Sequence, residues 1–205
     1  MVQIARFISV SFLSLLFLSS TISSTSAQQY EAPVFAPGTV FVMVDQASRK
    51  RTLEFSSVNE RSTEARYNFG DWLMTANLSM YRDGQQPIGN IPVPFPLVLG
   101  AKDTYVGEEN KAFNSSSCPG TYTRTYERSV AENTETYDLA GEQIDVVRIV
   151  HNGTTVSSSG SCGGKIDLTI LYAPKIGMWV DAEVKISSQA FRQIFTVKMV
   201  SYTIP

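Results

Sequence analysis

Lys165-Ile166-Asp167-Leu168-Thr169-Ile170-Leu171-Tyr172-Ala173-Pro174-Lys175-Ile176-Gly177-Met178-Trp179-Val180-Asp181-Ala182-Glu183-Val184-Lys185-Ile186-Ser187 reads as two strands joined by a reversal. Ile166, Leu168 and Ile170 alternate with Lys165, Asp167 and Thr169. Met178, Val180, Ala182, Val184 and Ile186 do the same against Asp181, Glu183, Lys185 and Ser187. A period of two is the mark of a strand buried on one face. The link Ala173-Pro174-Lys175-Ile176-Gly177 supplies the proline and glycine of a turn. A third strand, Phe191 to Tyr202, places Phe191, Phe195, Val197 and Met199 together, opposite Arg192, Thr196 and Lys198. Three consecutive strands with short links predict an antiparallel meander.

Working outward, Gly38 to Val44 and Arg51 to Phe55 predict a hairpin turning through Gln46 to Arg49. Trp72 to Tyr81 predicts a further strand, closed by an Asp83-Gly84 turn. Middle strands are expected at Thr121 to Ser129 and at Ile144 to Val150, the second ending at the turn signal His151-Asn152-Gly153. No long amphipathic helix follows the first 27 residues; a short one is expected within Ala101 to Phe113. Gln85 to Gly100 holds four prolines around Ile91, Val93, Phe95 and Leu97. Proline withholds a ladder donor, so this segment is an extended edge or wrap, covering one end of the sheet or offering a docking surface. The fold expectation is all-β: an antiparallel curved sheet, as a half-open barrel or a sandwich.

The first 27 residues set the compartment. Arg6 precedes the apolar run Ile8 to Leu18, which gives way to the polar run Ser19 to Ser26 and to Ala27. A charged start, an apolar segment too short to span a bilayer and small residues at Thr25 and Ala27 read as a cleavable signal peptide, 1–27. Residues 28–205 then form a single β-rich domain, expected in the periplasm or secreted. In such an oxidising compartment the two cysteines, Cys118 and Cys162, read as a disulfide, worth roughly 4 kcal/mol by loop entropy.

Charge and chemistry exclude several classes. A net charge of −2 without a large basic cluster argues against nucleic acid. The most apolar later stretch, Ile91 to Leu99, is short and broken by prolines, so no transmembrane span is expected. His151 is the single histidine; beside Asn-Gly it reads as a solvated turn residue, and any histidine-centred triad would have to use it. One histidine and two bridged cysteines leave too few zinc ligands. Gly160-Ser161-Cys162-Gly163-Gly164 has nucleophile-elbow spacing, but a serine-rich loop precedes it and a strand follows it. No enzyme, metal or cofactor is therefore expected. Tyr122 and Tyr126 share a strand face with Arg124 and Arg128, which is either an ordinary solvent-facing row or a surface for a glycan or anionic ligand.

Three elements carry a resemblance: Phe95-Pro96-Leu97-Val98-Leu99-Gly100, Leu139-Ala140-Gly141-Glu142-Gln143-Ile144, and Leu171-Tyr172-Ala173-Pro174-Lys175-Ile176-Gly177. In this order they resemble uncharacterised exported bacterial β-domain proteins with Pro-Leu-x-x-Gly, Ala-Gly-x-Phe and Tyr-Ala-Pro-x-x-Gly elements. This chain departs from the pattern at Gln143-Ile144, where an aromatic is more usual. The resemblance implies a curved or half-open antiparallel barrel in the cell envelope and brings no catalytic residues. The functional expectation is a non-enzymatic exported domain that binds a lipid-like ligand, a glycan or an envelope protein. Its binding surface would use Ile91, Val93, Phe95, Leu97, Tyr122 and Tyr126. The alternative is a structural or adhesive envelope protein acting through protein–protein contacts.

Overall fold

The computed structural model describes residues 27–58, 62–67, 70–75, 78, 80–81, 93–109, 122–157, 163–188 and 192–205. All regular structure among them is strand. The N-terminal half carries β1 (Gln29–Tyr30), β2 (Val40–Asp45), β3 (Lys50–Val58), β4 (Ser62–Tyr67), β5 (Gly70–Thr75), β6 (Met80–Tyr81) and β7 (Leu97–Val98). The C-terminal half carries β8 (Lys102–Glu109), β9 (Tyr122–Val130), β10 (Glu135–Leu139), β11 (Glu142–Ser157), β12 (Gly163–Ala173), β13 (Met178–Ser188) and β14 (Arg192–Thr203).

Every ladder is antiparallel. One large sheet runs β6-β5-β4-β3-β2-β14-β13-β12-β11-β9-β8, with β10 on β11, while β1 and β7 form a separate two-stranded pair. The chain thus lays down one meander from β2 outward and returns through β8 to β14, which docks on β2. Among the described residues no ladder joins β6 to β8, so the sheet stays open. Bulges between Phe55 and Ser57, between Leu171 and Tyr172 and between Met199 and Ser201 bend it around its inner face. The all-β, open and curved architecture is the one the alternation implied.

Local chemistry explains the turns. In the β2–β3 hairpin Asp45 Oδ1 accepts the backbone N–H of Ala47 at 2.9 Å and of Arg49 at 3.1 Å. Its Oδ2 accepts Arg49 Nε at 2.7 Å, so one carboxylate organises the whole reversal. The Ala173–Gly177 turn closes with Gly177 N–H donating to the Ala173 carbonyl at 2.9 Å. Gly177 sits at φ +76°, and a Cβ there would lie 2.8 Å from Pro33 Cβ. The glycine is therefore needed both for the left-handed backbone and for the close passage of the N-terminal strap.

Three expectations are corrected. Ala101 to Phe113 holds no helix where it is described; Lys102–Glu109 is β8, because its residues pair one for one with β9. The strand expected over Trp72 to Tyr81 is instead two: β5 ends at Thr75 and β6 folds back on it antiparallel, with Leu73 opposite Tyr81 and Met74 opposite Met80. Leu78, buried and at φ 63°, lies in the reversal, while the Asp83-Gly84 turn lies outside the described residues. Finally, β11 does not end at Val150 but runs through His151-Asn152-Gly153 to Ser157. Gly153 serves there to make room for a neighbouring ring, not to turn the chain.

The core lies on the inner face at the end of the sheet closed by the N-terminal strap. Phe35, on the segment between β1 and β2 that forms the strap, packs tilted at 4.5 Å against Phe55, and Phe41 meets both rings edge-on at 5.4 and 5.7 Å. Met43, Val146, Ile149, Tyr172 and Met178 continue it. Truncating Phe55, which is fully buried, is expected to cost about 3–5 kcal/mol. Ile194→Ala, on an exposed position, should stay within about 0.5 kcal/mol of the parent. Urea unfolding of the two variants checks the contrast, and equal losses would contradict this placement of the core.

Candidate functional site

Direct cross-strand partners share a face, so the register fixes what lies on the inner surface. One row is Val130, Ile149, Ile170, Ala182 and Val197, wholly apolar. The next row is Asp103, Arg128, His151, Leu168, Val184 and Phe195. The third is Tyr105, Tyr126, Gly153, Ile166, Ile186 and Gln193. Away from the strap, the inner face therefore becomes polar and aromatic on β8, β9 and β11 but stays largely apolar on β12, β13 and β14.

The polar part is a connected cluster. Arg128 Nε donates to Asp103 Oδ1 at 2.8 Å, and Nη2 bonds to Oδ2, giving a bidentate pair. The guanidinium lies 5.0 Å from the centre of the Tyr105 ring. Tyr105 stacks on Tyr126 at 5.0 Å and 19°. The Tyr105 hydroxyl is 3.2 Å from His151 Nδ1. Whichever ring nitrogen carries the proton, His151 Nε2 is buried and has no hydrogen-bond partner among the described residues. A cleft of about 360 Å³ at this edge opens mainly on the opposite face, lined by Lys102, Thr104, Glu127, Ser129 and Asn152 together with Asp103 and Arg128, so it is not a pocket of the cluster.

Burial, then the nearby Arg128 charge, pulls the His151 imidazole down to about 3, with Asp103 acting the other way. Burial, reinforced by Tyr126, pushes the Tyr105 phenol well above its ordinary range. At neutral pH the site thus contains an uncharged imidazole, a protonated phenol and a guanidinium already matched by a carboxylate. Such a set offers hydrogen bonds without net charge, and its imidazole is a weak base. Among the described residues no three His, Cys, Asp or Glu side chains converge as metal ligands.

The residues singled out from sequence fall in different places. Val93 and Leu97 are buried in the core, and Phe95 packs edge-on against Tyr172 at 5.5 Å. Leu97 also pairs with Tyr30 in the β1–β7 ladder. The proline segment, where described, therefore wraps the sheet instead of presenting its apolar side chains outward; Ile91 lies outside the described residues. Tyr126 is only 3% exposed and faces inward with Arg128, not toward solvent, because Gly153 and Ile166 on the next strands leave a slot for its ring. The Tyr122 side chain, Cys118 and Cys162 lie outside the described residues. His151, expected in a solvated turn, is fully buried in mid-strand.

The cluster itself was missed. Asp103-x-Tyr105 and Tyr126-x-Arg128 do have same-face spacing, but nothing local aligns these segments with each other or with His151. The slot for Tyr126 makes a direct test. A Cβ at Gly153 would lie 2.5 Å from Tyr126 Cε1 and 2.6 Å from Ile166 Cγ2. Gly153→Ala is therefore expected to destabilise by about 1–3 kcal/mol through overpacking. Gly153→Ala combined with Tyr126→Ala should lose less than the sum of the two single changes in a double-mutant cycle. Additivity would mean that the ring does not fill this slot.

No family model and no curated protein matches the chain. Solved structures that are similar include the following three. The hypothetical lipoprotein YmcC from Escherichia coli K12 aligns at 11% identity and a TM-score of 0.47, over 84% of this chain and 90% of its own. A candidate exported protein with a YmcC-like fold from Bacteroides fragilis aligns at 12% and 0.38, over 86% and 100%. A candidate lipoprotein from Parabacteroides distasonis aligns at 11% and 0.39, over 86% and 100%. Likeness at this level carries no conclusion about activity.

Proposed function

We propose that this protein is a non-enzymatic, exported β-domain that shelters a lipid-like small molecule against the inner face of its open sheet. The observation that carries the reading is the gradient along one register row. Leu168 is 7% exposed, Val184 is half-buried and Phe195 is 38% exposed, although all three point inward with the core. Ile186 in the adjoining row is likewise half-buried. Apolar side chains on the inner face that their own chain leaves partly uncovered form the lining a hydrocarbon needs. The neighbouring polar cluster supplies hydrogen bonds for a head group, and its weakly basic imidazole favours holding over proton transfer.

Binding of N-phenyl-1-naphthylamine, an apolar probe that brightens on leaving water, tests the reading. The parent protein should give saturable enhancement. Phe195→Ser should weaken it about tenfold or more, because burying a phenylalanine is worth about 1.5–3 kcal/mol. Ile194→Ser, one residue away on the opposite face, should leave it unchanged. Failure of the parent to bind the probe, or equal losses in the two variants, would reject the inner face as the site.

A further inference from the structure

β8 is an edge strand: among the described residues it pairs with β9 alone. On the inner face it is fastened by Asp103 to Arg128, by Tyr105 stacked on Tyr126, and by the Tyr105 hydroxyl reaching across β9 to His151 on β11. The last tie ends on a side chain with no exposure at all and a bare Nε2.

We infer that His151 is an acid-sensitive latch, whose protonation requires Tyr105 and β8 to move away and so opens this edge of the sheet before the rest unfolds.

The surroundings of the imidazole explain why. From β9 it faces the Arg128 cation directly opposite and the Tyr126 phenol. From β8 it faces Tyr105 and Asp103, whose carboxylate is already bidentate to Arg128. From β12 it faces Leu168, flanked by Ile166 and Ile170, and along β11 its same-face neighbours are Ile149 and Gly153. Among the described residues no further carboxylate faces the imidazole to receive a second positive charge. An imidazolium in place would be a buried cation beside a guanidinium, whereas one released by β8 would be hydrated. The cost falls on β8 because an edge strand with one ladder opens more readily than β12 or β13, each held on two sides.

The sign follows from linkage. The imidazole titrates at about 3 when covered and at about 6.5 when freed. The open form therefore binds more protons between these values. Opening is favoured as pH falls through that window, by up to about tenfold per unit, with no effect above it.

Hydrogen exchange of the full protein, corrected for intrinsic rates, reads this out strand by strand. Between pH 6.5 and pH 4.5 the protection of β8 amides should fall about 50-fold, while the β12–β13 ladder changes by less than about threefold. His151→Gln should abolish the difference; His151→Phe serves the same purpose if the glutamine variant does not fold. Tyr105→Phe should lower protection at both pH values yet keep the slope, and Asp103→Asn should also keep it. A pH-independent β8, a loss spread evenly over the sheet, or a slope that survives replacement of His151 would each overturn the inference. The first two are measured on the unaltered protein.

Discussion

The ladder between β2 and β14 is the contact on which the remaining architecture depends. It joins the first long strand to the last, and thereby welds two locally formed meanders into one sheet. Without it, each half would end in a long unpaired edge. The join also has an unusual geometry. On β2 the buried residues Phe41 and Met43 are two apart, yet they face Tyr202 and Met199, which are three apart on β14. The bulge between Met199 and Ser201 absorbs the extra residue, so both β14 side chains still point inward. A one-residue change in spacing there would turn one end of β14 inside out.

β11 solves a related problem within a single strand. Its first part pairs with β10, its second with β9 and β12, and the change occurs where the consecutive residues Val146 and Val147 are both fully buried. Alternation restarts there in the opposite phase. Ile144 and Val146 are buried on one side of the change, and Ile149, His151 and Gly153 on the other. This phase reversal carries His151 into the interior and lets the small Gly153 lie beneath the Tyr126 ring.

These particulars also explain what the amino-acid sequence disclosed. β12, β13 and the turn between them were legible because their pairing partners are adjacent in the chain and one face is buried throughout. The β2–β3 hairpin was legible for the same reason. His151-Asn152-Gly153 was misread because a glycine that makes a turn and a glycine that admits a ring look identical locally. The deciding group, Tyr126, arrives from another strand. β8 was misread as helical because its pattern acquires meaning only opposite β9. The cluster depends on three registers at once, and none of them is written in a local motif. The Cys118–Cys162 pairing and the leader are properties of residues outside the described structure and stand as expectations from sequence.

The inner face is divided across its width, and that division connects the architecture to the proposed role. Along a single row the side chains change from the Asp103–Arg128 pair through His151 to Leu168, Val184 and Phe195. Purely structural packing gives no reason for this order, because an apolar side chain in place of His151 would leave no orphaned nitrogen, which costs about 1–3 kcal/mol. A molecule with one polar end and one apolar end, lying across the strands, matches it directly. Its head would meet groups that hydrogen-bond without net charge, and its tail would cover Val184 and Phe195. The same neutrality makes the cluster sensitive to one added proton. Thus the edge strand that completes the polar end is, among the described residues, held by a single ladder.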